Sequence, residues 1–495
     1  MNKNDIVEIR IDDLGNDGEG IGHLSQKDGR SFAIFVKDVL VGELIRVRLL
    51  KIKKNYAYGR LEEIIEPSMG RVEPMCPDAR RCGGCSLMHM SYAMELEYKW
   101  NKVKSCLERI GEISNPGNYM EKIRGMDNPY YFRNKMQFPV GVDNGGNVVM
   151  GFFAQRTHSI INLDKCCIGH PVNEYLVKYI KAWLQKYQDR TGGFVYDEEI
   201  HKGLVRHVLT RVGFKTGEVM VCLVINGSSL GDFPGNISRE ADIIDDLISS
   251  LQEGIRDYND HFMEYPLKDR VQLTGVSINI NRDKTNKILG NKCKTLWGSD
   301  SISDYIGDIR FNISPMSFFQ VNPVQTKVLY DMVIEYAELS GNENVWDMYC
   351  GIGTITLSIA KKAKKVYGVE IVPQAIEDAK CNAALNQISN VEFFCGKAEE
   401  VVPEFFAKRN EDQGSHPDVV VVDPPRKGCD QVLLHTISSM KPEKLVYVSC
   451  DPATLARDLK YLLGNGFMLK KVGVVDQFCH SGHVESVTLL QKIMK

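Results

Sequence analysis

Cys450 lies in Val448-Ser449-Cys450-Asp451-Pro452, where an apolar run, KLVYVSC, gives way to a helical one, PATLARDLKYLL. A thiol at a strand's carboxyl end, in the turn that opens a helix, is placed to ionise, because a helix N-terminus lowers thiol pKa. A thiolate is useful against a carbon that is not itself nucleophilic, and uracil C5 is such a carbon. Addition at C6 would turn C5 into an enolate-like nucleophile able to take a methyl group. The C5 proton must then leave, so a base is required. Near the end of the chain His480-Ser-Gly-His483-Val-Glu485 supplies candidates, with Glu485 as base and His483 serving or orienting it. The plainer readings are a buried structural thiol and a solvated hairpin.

A second group of thiols lies far upstream. The stretch CPDARRCGGC puts Cys76, Cys82 and Cys85 within ten residues, and Gly83-Gly84 make it a turn with little to pack. The N-terminus, MNKNDIVEIR, is charged where a signal peptide would be apolar, and no apolar run approaches a membrane span. A cytoplasmic chain is therefore expected, and there 14 cysteines do not form a disulfide framework. Cubane iron–sulfur clusters are usually held by four thiolates, whereas structural zinc favours two separated close pairs. Only one close pair is present, and LDKCCIGHP offers Cys166 and Cys167 downstream.

A third group reads as a cofactor loop. Asp347-Met-Tyr349-Cys-Gly351-Ile-Gly353-Thr354 follows a strand-like run and opens a helical one, and the next strand ends in Glu370, an acid able to accept ribose hydroxyls. Thr356 stands where a dinucleotide fingerprint has its third glycine, which points to a cofactor without phosphates, such as S-adenosylmethionine. A later strand ends in Asp423-Pro424-Pro425-Arg426. Arg426 occupies the place of the base-stacking aromatic found in similar turns of amino-methylating enzymes, so an exocyclic nitrogen is the poorer target.

The elements that must position these residues fall into three stretches. Residues 1–66 read as five short strands with glycine turns, a barrel of the oligonucleotide-binding type. Residues 67–300 contain the cysteine turn, a helix over 91–111 that is expected to pack on the catalytic part, and a mostly antiparallel β-rich region. The acidic segment 227–270 gives no readable pattern. Residues 301–495 alternate strand and helix, which predicts a doubly wound parallel sheet whose last two strands pair antiparallel.

The stretches SFFQVNP, DMYCGIGT, GVE, DPPRKG, VSCDPATLARD and HVES, in this order, resemble the RNA uridine-C5 methyltransferase family, and within it the enzymes of 23S ribosomal RNA. The N-terminal stretch resembles the family's TRAM module. The resemblance implies a Rossmann-like fold and cofactor contacts from Gln320, Tyr349, Thr354, Glu370 and Asp423. It implies Cys450 as nucleophile and Glu485 as proton acceptor, with Phe318 or Phe319 against the uracil ring or packed in the core. It also implies a [4Fe–4S] cluster on Cys76, Cys82, Cys85 and Cys166, structural in role because methyl transfer needs no electron. Thr354 and Asp451 stand where relatives often carry Asn, and both keep a side-chain oxygen.

The expected partner is RNA, ribosomal first, with transfer RNA as the nearer alternative and a non-catalytic RNA-binding or chaperone protein as the more distant one. The net charge of −3 does not announce this, but Arg46–Arg60 holds six basic residues, no acidic ones, and Tyr56 and Tyr58. Those arginines are expected to grip phosphates while the tyrosines stack bases, and a solvated strand face is the competing reading. Arg133, Lys135, Lys202, Arg206, His207, Arg211 and Lys215 add basic character in the central stretch. The target base must be looped or flipped out, since a paired base cannot reach a cleft thiol. The chain is expected to be monomeric and to have no membrane partner.

Overall fold

Inward-facing alternation, Ile9 and Ile11, Ile34 and Val36, Ile45 and Val47, shapes the first strands: β1 (Ile6–Leu14), β2 (Gly20–Ser25), β3 (Ser31–Val36), β4 (Leu44–Ile52) and β5 (Tyr56–Glu66). They close into a barrel in the order β1-β2-β3-β5-β4. A Cβ on Gly59 would lie 2.2 Å from the Val47 side chain, so glycine there lets the closing strands approach. The computed structural model describes residues 1–25, 31–155, 157–236, 238–265, 267, 269–408 and 417–493; among them no helix is long and apolar enough to cross a membrane.

Helix α1 (Tyr92–Arg109) buries Val103 and Leu107 in the apolar layer of the C-terminal sheet. The central sheet follows: β6 (Lys135–Val142), β7 (Val148–Phe153), β8 (Ile160–Asn162), α2 (Val172–Thr191), β9 (Val205–Val212), β10 (Glu218–Ile225), α3 (Glu240–His261), β11 (Gln272–Ile280) and β12 (Lys292–Gly298). Its order is β12-β11-β10-β9-β6-β7-β8, and only β10 and β11 pair in parallel, with α3 between them in the chain. Helices α2 and α3 pack into the core with one face of this sheet. Neither helix was part of the strand-based expectation, yet α3 carries Ile243, Leu247, Leu251, Ile255 and Tyr258 at helical spacing, all buried. The acidic residues that made 227–270 look irregular lie on its outer side.

The rest is a hairpin and a doubly wound sheet. The elements are β13 (Ile302–Ile306), β14 (Ile309–Ile313), α4 (Pro323–Ala337), β15 (Asn344–Asp347), α5 (Thr354–Ala360), β16 (Lys365–Glu370), α6 (Pro373–Leu385), β17 (Val391–Cys395), α7 (Ala398–Lys408), β18 (Val419–Val422), α8 (Gln431–Met440), β19 (Lys444–Ser449), α9 (Pro452–Gly464), β20 (Phe467–Val475) and β21 (Glu485–Lys492). Arg409, which the sequence reading places at the end of α7, lies outside the described residues. The sheet order is β17-β16-β15-β18-β19-β21-β20, with β21 antiparallel to both neighbours, as expected. The order reverses between β15 and β18, which opens a crevice at the carboxyl edge, where such folds bind ligands.

Candidate active site

Three neighbouring strands bring the chemical groups to that edge. β18 ends one residue before Asp423, β19 ends one residue before Cys450, and β21 begins at Glu485. Ser449 pairs with Ser486, so one further step of this antiparallel register sets Cys450 opposite Glu485. Cys450 is half-buried and Glu485 is 3% exposed. Burial and then the Asp423 charge hold the Glu485 carboxyl well above the usual carboxylate range, against the pull of Arg426. Asp423 is pushed up to about 7 by burial and by the Asp347 charge.

The thiol corrects the sequence expectation. Burial pushes Cys450 up to about 12, the charges of Glu485 and Asp423 add to the effect, and Arg426 opposes it. The amides at the start of α9 do not serve the thiol, because the Asp451 carboxylate accepts from Ala453 N–H (2.9 Å) and Thr454 N–H (3.0 Å). Cys450 thus stands one residue outside the cap, with an acid in between. His483 keeps much of its surface open to solvent, with its ring edge-on to Phe478 at 6.1 Å, and partial desolvation of the ring and then the Arg426 charge lower its pKa.

The glycine loop turns as its sequence demands: Gly351 and Gly353 have φ of +54° and +86°, and Gly351 N–H donates to Glu370 Oε2 at 3.2 Å. Asp347 is fully buried, burial pushes it up to about 6, and it accepts from the Thr356 hydroxyl at 2.7 Å. Thr356, the departure from the dinucleotide pattern, therefore locks the loop's first acid. Thr354 hydrogen-bonds the Tyr330 hydroxyl at 2.8 Å. Tyr330, from α4, is buried, and the charges of Asp423, Asp347 and Glu485 all act on its hydroxyl. Sequence reading passed over it, because one tyrosine in an apolar helix carries no signal.

Gln320 is 7% exposed, and its carbonyl accepts from Asn134 at 3.0 Å, which ties the loop before α4 to the central sheet. Tyr349 is half-buried, with its hydroxyl at Cys429. The neighbouring aromatics divide sharply: Phe319 is buried against Phe311 at 6.0 Å, while Phe318 is 72% exposed.

Cys76, Cys82, Cys85, Cys166 and Cys167 line one cavity of about 270 Å³. The Cys82 loop is held to the β7–β8 turn by a bridge to Ala154 and by Gly83 N–H donating to the Phe153 carbonyl at 3.0 Å. Burial pushes Cys82 up to about 11 and raises Cys85 and Cys166, and Arg133 adjoins the last two. Among the described residues no group of three or more His, Cys, Asp or Glu is gathered closely enough to hold a metal ion.

The basic surface differs from its sequence reading. Arg46 pairs with Glu8 (2.9 Å) and with Glu63, Arg48 pairs with Glu62 (2.8 Å), and Arg60 pairs with Glu62 (2.9 Å). The acids come from β1 and from the far end of β5, which the local stripe could not reveal. Among the described residues Lys51, Lys53 and Lys54 have no such partner, and they flank Phe35, Tyr56 and Tyr58, whose ring centroids are 5.6–5.8 Å apart. In the central sheet Arg206 and Arg211 are buried, donating to the carbonyls of Asn281 and Ser317; Lys202 and Lys215 are exposed.

Comparison with known proteins agrees with this layout. The family model tRNA (Uracil-5-)-methyltransferase matches residues 257–493, and the TRAM domain model matches residues 2–61. An uncharacterized RNA methyltransferase of Clostridium acetobutylicum is 44% identical over 495 residues (100% of this chain, 99% of that protein). One of Halalkalibacterium halodurans is 46% identical over 491 residues (99% and 98%). The crystal structure of the Pyrococcus abyssi tRNA (uracil-54, C5)-methyltransferase in complex with S-adenosyl-L-homocysteine aligns with a TM-score of 0.71 and 25% identity, covering 98% of this chain and 99% of that one. A TRAM barrel at one end and a thiol-bearing methyltransferase sheet at the other complete the argument: the chain belongs to the S-adenosylmethionine-dependent RNA uracil-5-methyltransferases that carry a TRAM domain.

Proposed function

We propose that the protein methylates C5 of a specific uridine in 23S ribosomal RNA through a covalent Cys450–C6 adduct, giving 5-methyluridine. The observation that carries the reading is that Cys450 and Glu485 each lie one residue beyond the Ser449–Ser486 pair at the carboxyl edge, near enough for the Glu485 charge to act on the thiol. S-adenosylmethionine supplies an electrophilic methyl group. The Cys450 thiolate adds to C6, and the C5=C6 electron pair moves onto C4–O4. After C5 has taken the methyl group, Glu485 accepts the C5 proton, the C5=C6 bond re-forms and the sulfur leaves as thiolate. Arg426 is the cation that works against the raised pKa of both Cys450 and Glu485, so it favours the two ionised states the scheme needs.

Gln320, Tyr349, Thr354, Glu370 and Asp423 are the cofactor contacts in this reading, and exposed Phe318 is the platform for the target base. A [4Fe–4S] cluster on Cys76, Cys82, Cys85 and Cys166 is the reading of a cavity in which five thiols stand among apolar side chains and the cations Arg133 and Lys165. Its role is structural, tying the cysteine turn to the central sheet. On the barrel, Lys51, Lys53 and Lys54 beside the aromatic trio replace the paired arginines as the RNA grip.

Wild-type protein, 5-fluorouridine-substituted RNA and S-adenosylmethionine should yield a denaturation-resistant adduct that Cys450→Ala does not. No adduct from wild type, or one from Cys450→Ala, overturns the scheme. Transfer RNA is the second reading, favoured by the full-length match to a transfer-RNA enzyme. The barrel and the cysteine turn favour ribosomal RNA, since simpler transfer-RNA enzymes of the family lack both. Mapping 5-methyluridine in both RNAs from a deletion strain decides: unchanged ribosomal RNA sinks the first choice.

A further inference from the structure

Glu485 is the first residue of β21 and pairs with Val475, the last of β20, so residues 476–484 form the loop that determines where its carboxylate sits. That loop is gripped from outside the methyltransferase fold, by one face of α1. Lys99 Nζ donates to Asp476 Oδ1 (2.5 Å) and to the Phe478 carbonyl (3.0 Å). Glu95 Oε1 accepts from His480 N–H (2.7 Å) and from Lys99 (2.7 Å). Lys102 Nζ donates to the Gly482 carbonyl (2.7 Å) and to the Asn16 carbonyl in the barrel (2.8 Å). Tyr92 donates to Asp476 Oδ2 at 2.7 Å. These residues, 92, 95, 99 and 102, recur at the spacing of a single helix face. They hold the loop at residues 476, 478, 480 and 482.

Apolar residues are the usual content of a buried helix face, because burying charge is costly. Yet the side chains of Glu95 and Lys99 are 0% exposed, with Asp476 buried beside them. A merely adhesive contact does not need such groups. A directional one does, because ionic hydrogen bonds fix the loop's backbone in position where apolar packing would let it slide.

Resting on the methyl-transfer scheme above, we propose that Glu95, Lys99 and Asp476 are positioning residues for Glu485, setting its carboxylate for removal of the C5 proton. In that step the C5–H bond breaks and the proton passes to Glu485. The electron pair forms C5=C6, and the C6–S bond breaks with its electrons going to Cys450. Attack and methyl transfer precede this step and do not require a correctly placed base, so loss of the network slows elimination selectively.

The test is the triple variant Glu95→Gln, Lys99→Met, Asp476→Asn, which removes the charges together and leaves no buried ion alone. Adduct formation with 5-fluorouridine RNA, in which the C5 proton is absent, should match wild type. Turnover on uridine RNA should fall by about 10²-fold in kcat with kcat/KM little changed, because attack and methyl transfer precede the slowed step. Methylated adduct should accumulate, and deuterium at C5 should slow turnover more than in wild type. A parallel fall in adduct formation and turnover marks the network as structural only and overturns the proposal, as does unchanged turnover. Should circular dichroism show the triple variant unfolded, Lys102→Met decides: about tenfold lower kcat with full adduct yield supports positioning, and unchanged kcat overturns it. A wild type that forms no adduct fails the methyl-transfer scheme itself, an outcome read before any variant.

Discussion

The two thiol sites of this chain place the same atom in different company. At the sheet's carboxyl edge Cys450 stands among acids: Glu485 and Asp423 raise its pKa, and Arg426 alone pulls the other way. In the central cavity Cys82, Cys85 and Cys166 face one another, with Arg133 beside the last two. A single thiol among carboxylates is disfavoured as an anion, which in the proposed scheme suits a bond that must form and break in each cycle. Several thiols around one cavity can ionise together only beside positive charge, which suits a permanent ligand set in the proposed reading. Burial raises the thiols in both places, and what differs is the company: carboxyls around Cys450, other thiols in the cavity.

The largest effect expected from breaking this contrast is at the thiols themselves. Cys450→Ala should lower methylation by at least about 10⁴-fold while leaving iron content and melting temperature unchanged. Cys85→Ala should do the reverse: iron is lost and the protein melts earlier, and the protein that stays folded still forms the 5-fluorouridine adduct. Loss of iron in the Cys450 variant, or loss of the adduct alone in the Cys85 variant, would erase the distinction.

Removing the opposing cation comes next. Arg426→Met should lower kcat/KM by about 10²-fold. Because the guanidinium lowers the pKa of Cys450 and Glu485, its loss raises both, and the rate–pH profile should move to higher pH. A shift to lower pH contradicts the electrostatics. In the ligand-free protein iodoacetamide at pH 8 should label Cys450 about 10²-fold more slowly than exposed Cys381, with the rate still climbing toward pH 12. The smallest effect belongs to the barrel. Lys51→Gln, Lys53→Gln and Lys54→Gln together should raise KM and cut the salt slope of RNA binding by about 2, at about 0.7 per phosphate contact on a single strand. Arg46→Gln should change that slope little, since its charge is spent on Glu8 and Glu63. Neither variant should alter thiol chemistry.

Much of this was legible in order along the chain. Strand ends, glycine turns and acids that follow apolar runs are local signals, and they led to the carboxyl edge, to the cofactor loop and to β21 lying antiparallel. The barrel's alternation was equally plain. The arginine stripe was misleading because its partners, Glu8 and Glu63, are distant in sequence and adjacent only across β4's two neighbours. Helix α3 was missed because its acidic face obscured a periodic apolar one. The thiol's raised pKa comes first from burial and then from Glu485 and Asp423, which no local signal carries, while Asp451 accepts from the first amides of α9.

Residue types and their spacing were enough to read the reaction class and the cofactor chemistry and to single out Cys450 and Glu485 as candidates, because those depend on functional groups placed at element ends. Tertiary structure decided how deeply each titratable group is buried and beside which charges, which cations lack an acidic partner, which of Phe318 and Phe319 is exposed, and that a helix outside the catalytic sheet holds the loop bearing Glu485. The physical reason is common to all four. Burial and charge pairing depend on neighbours brought together through space, and one strand's register or one helix face can join residues hundreds of positions apart.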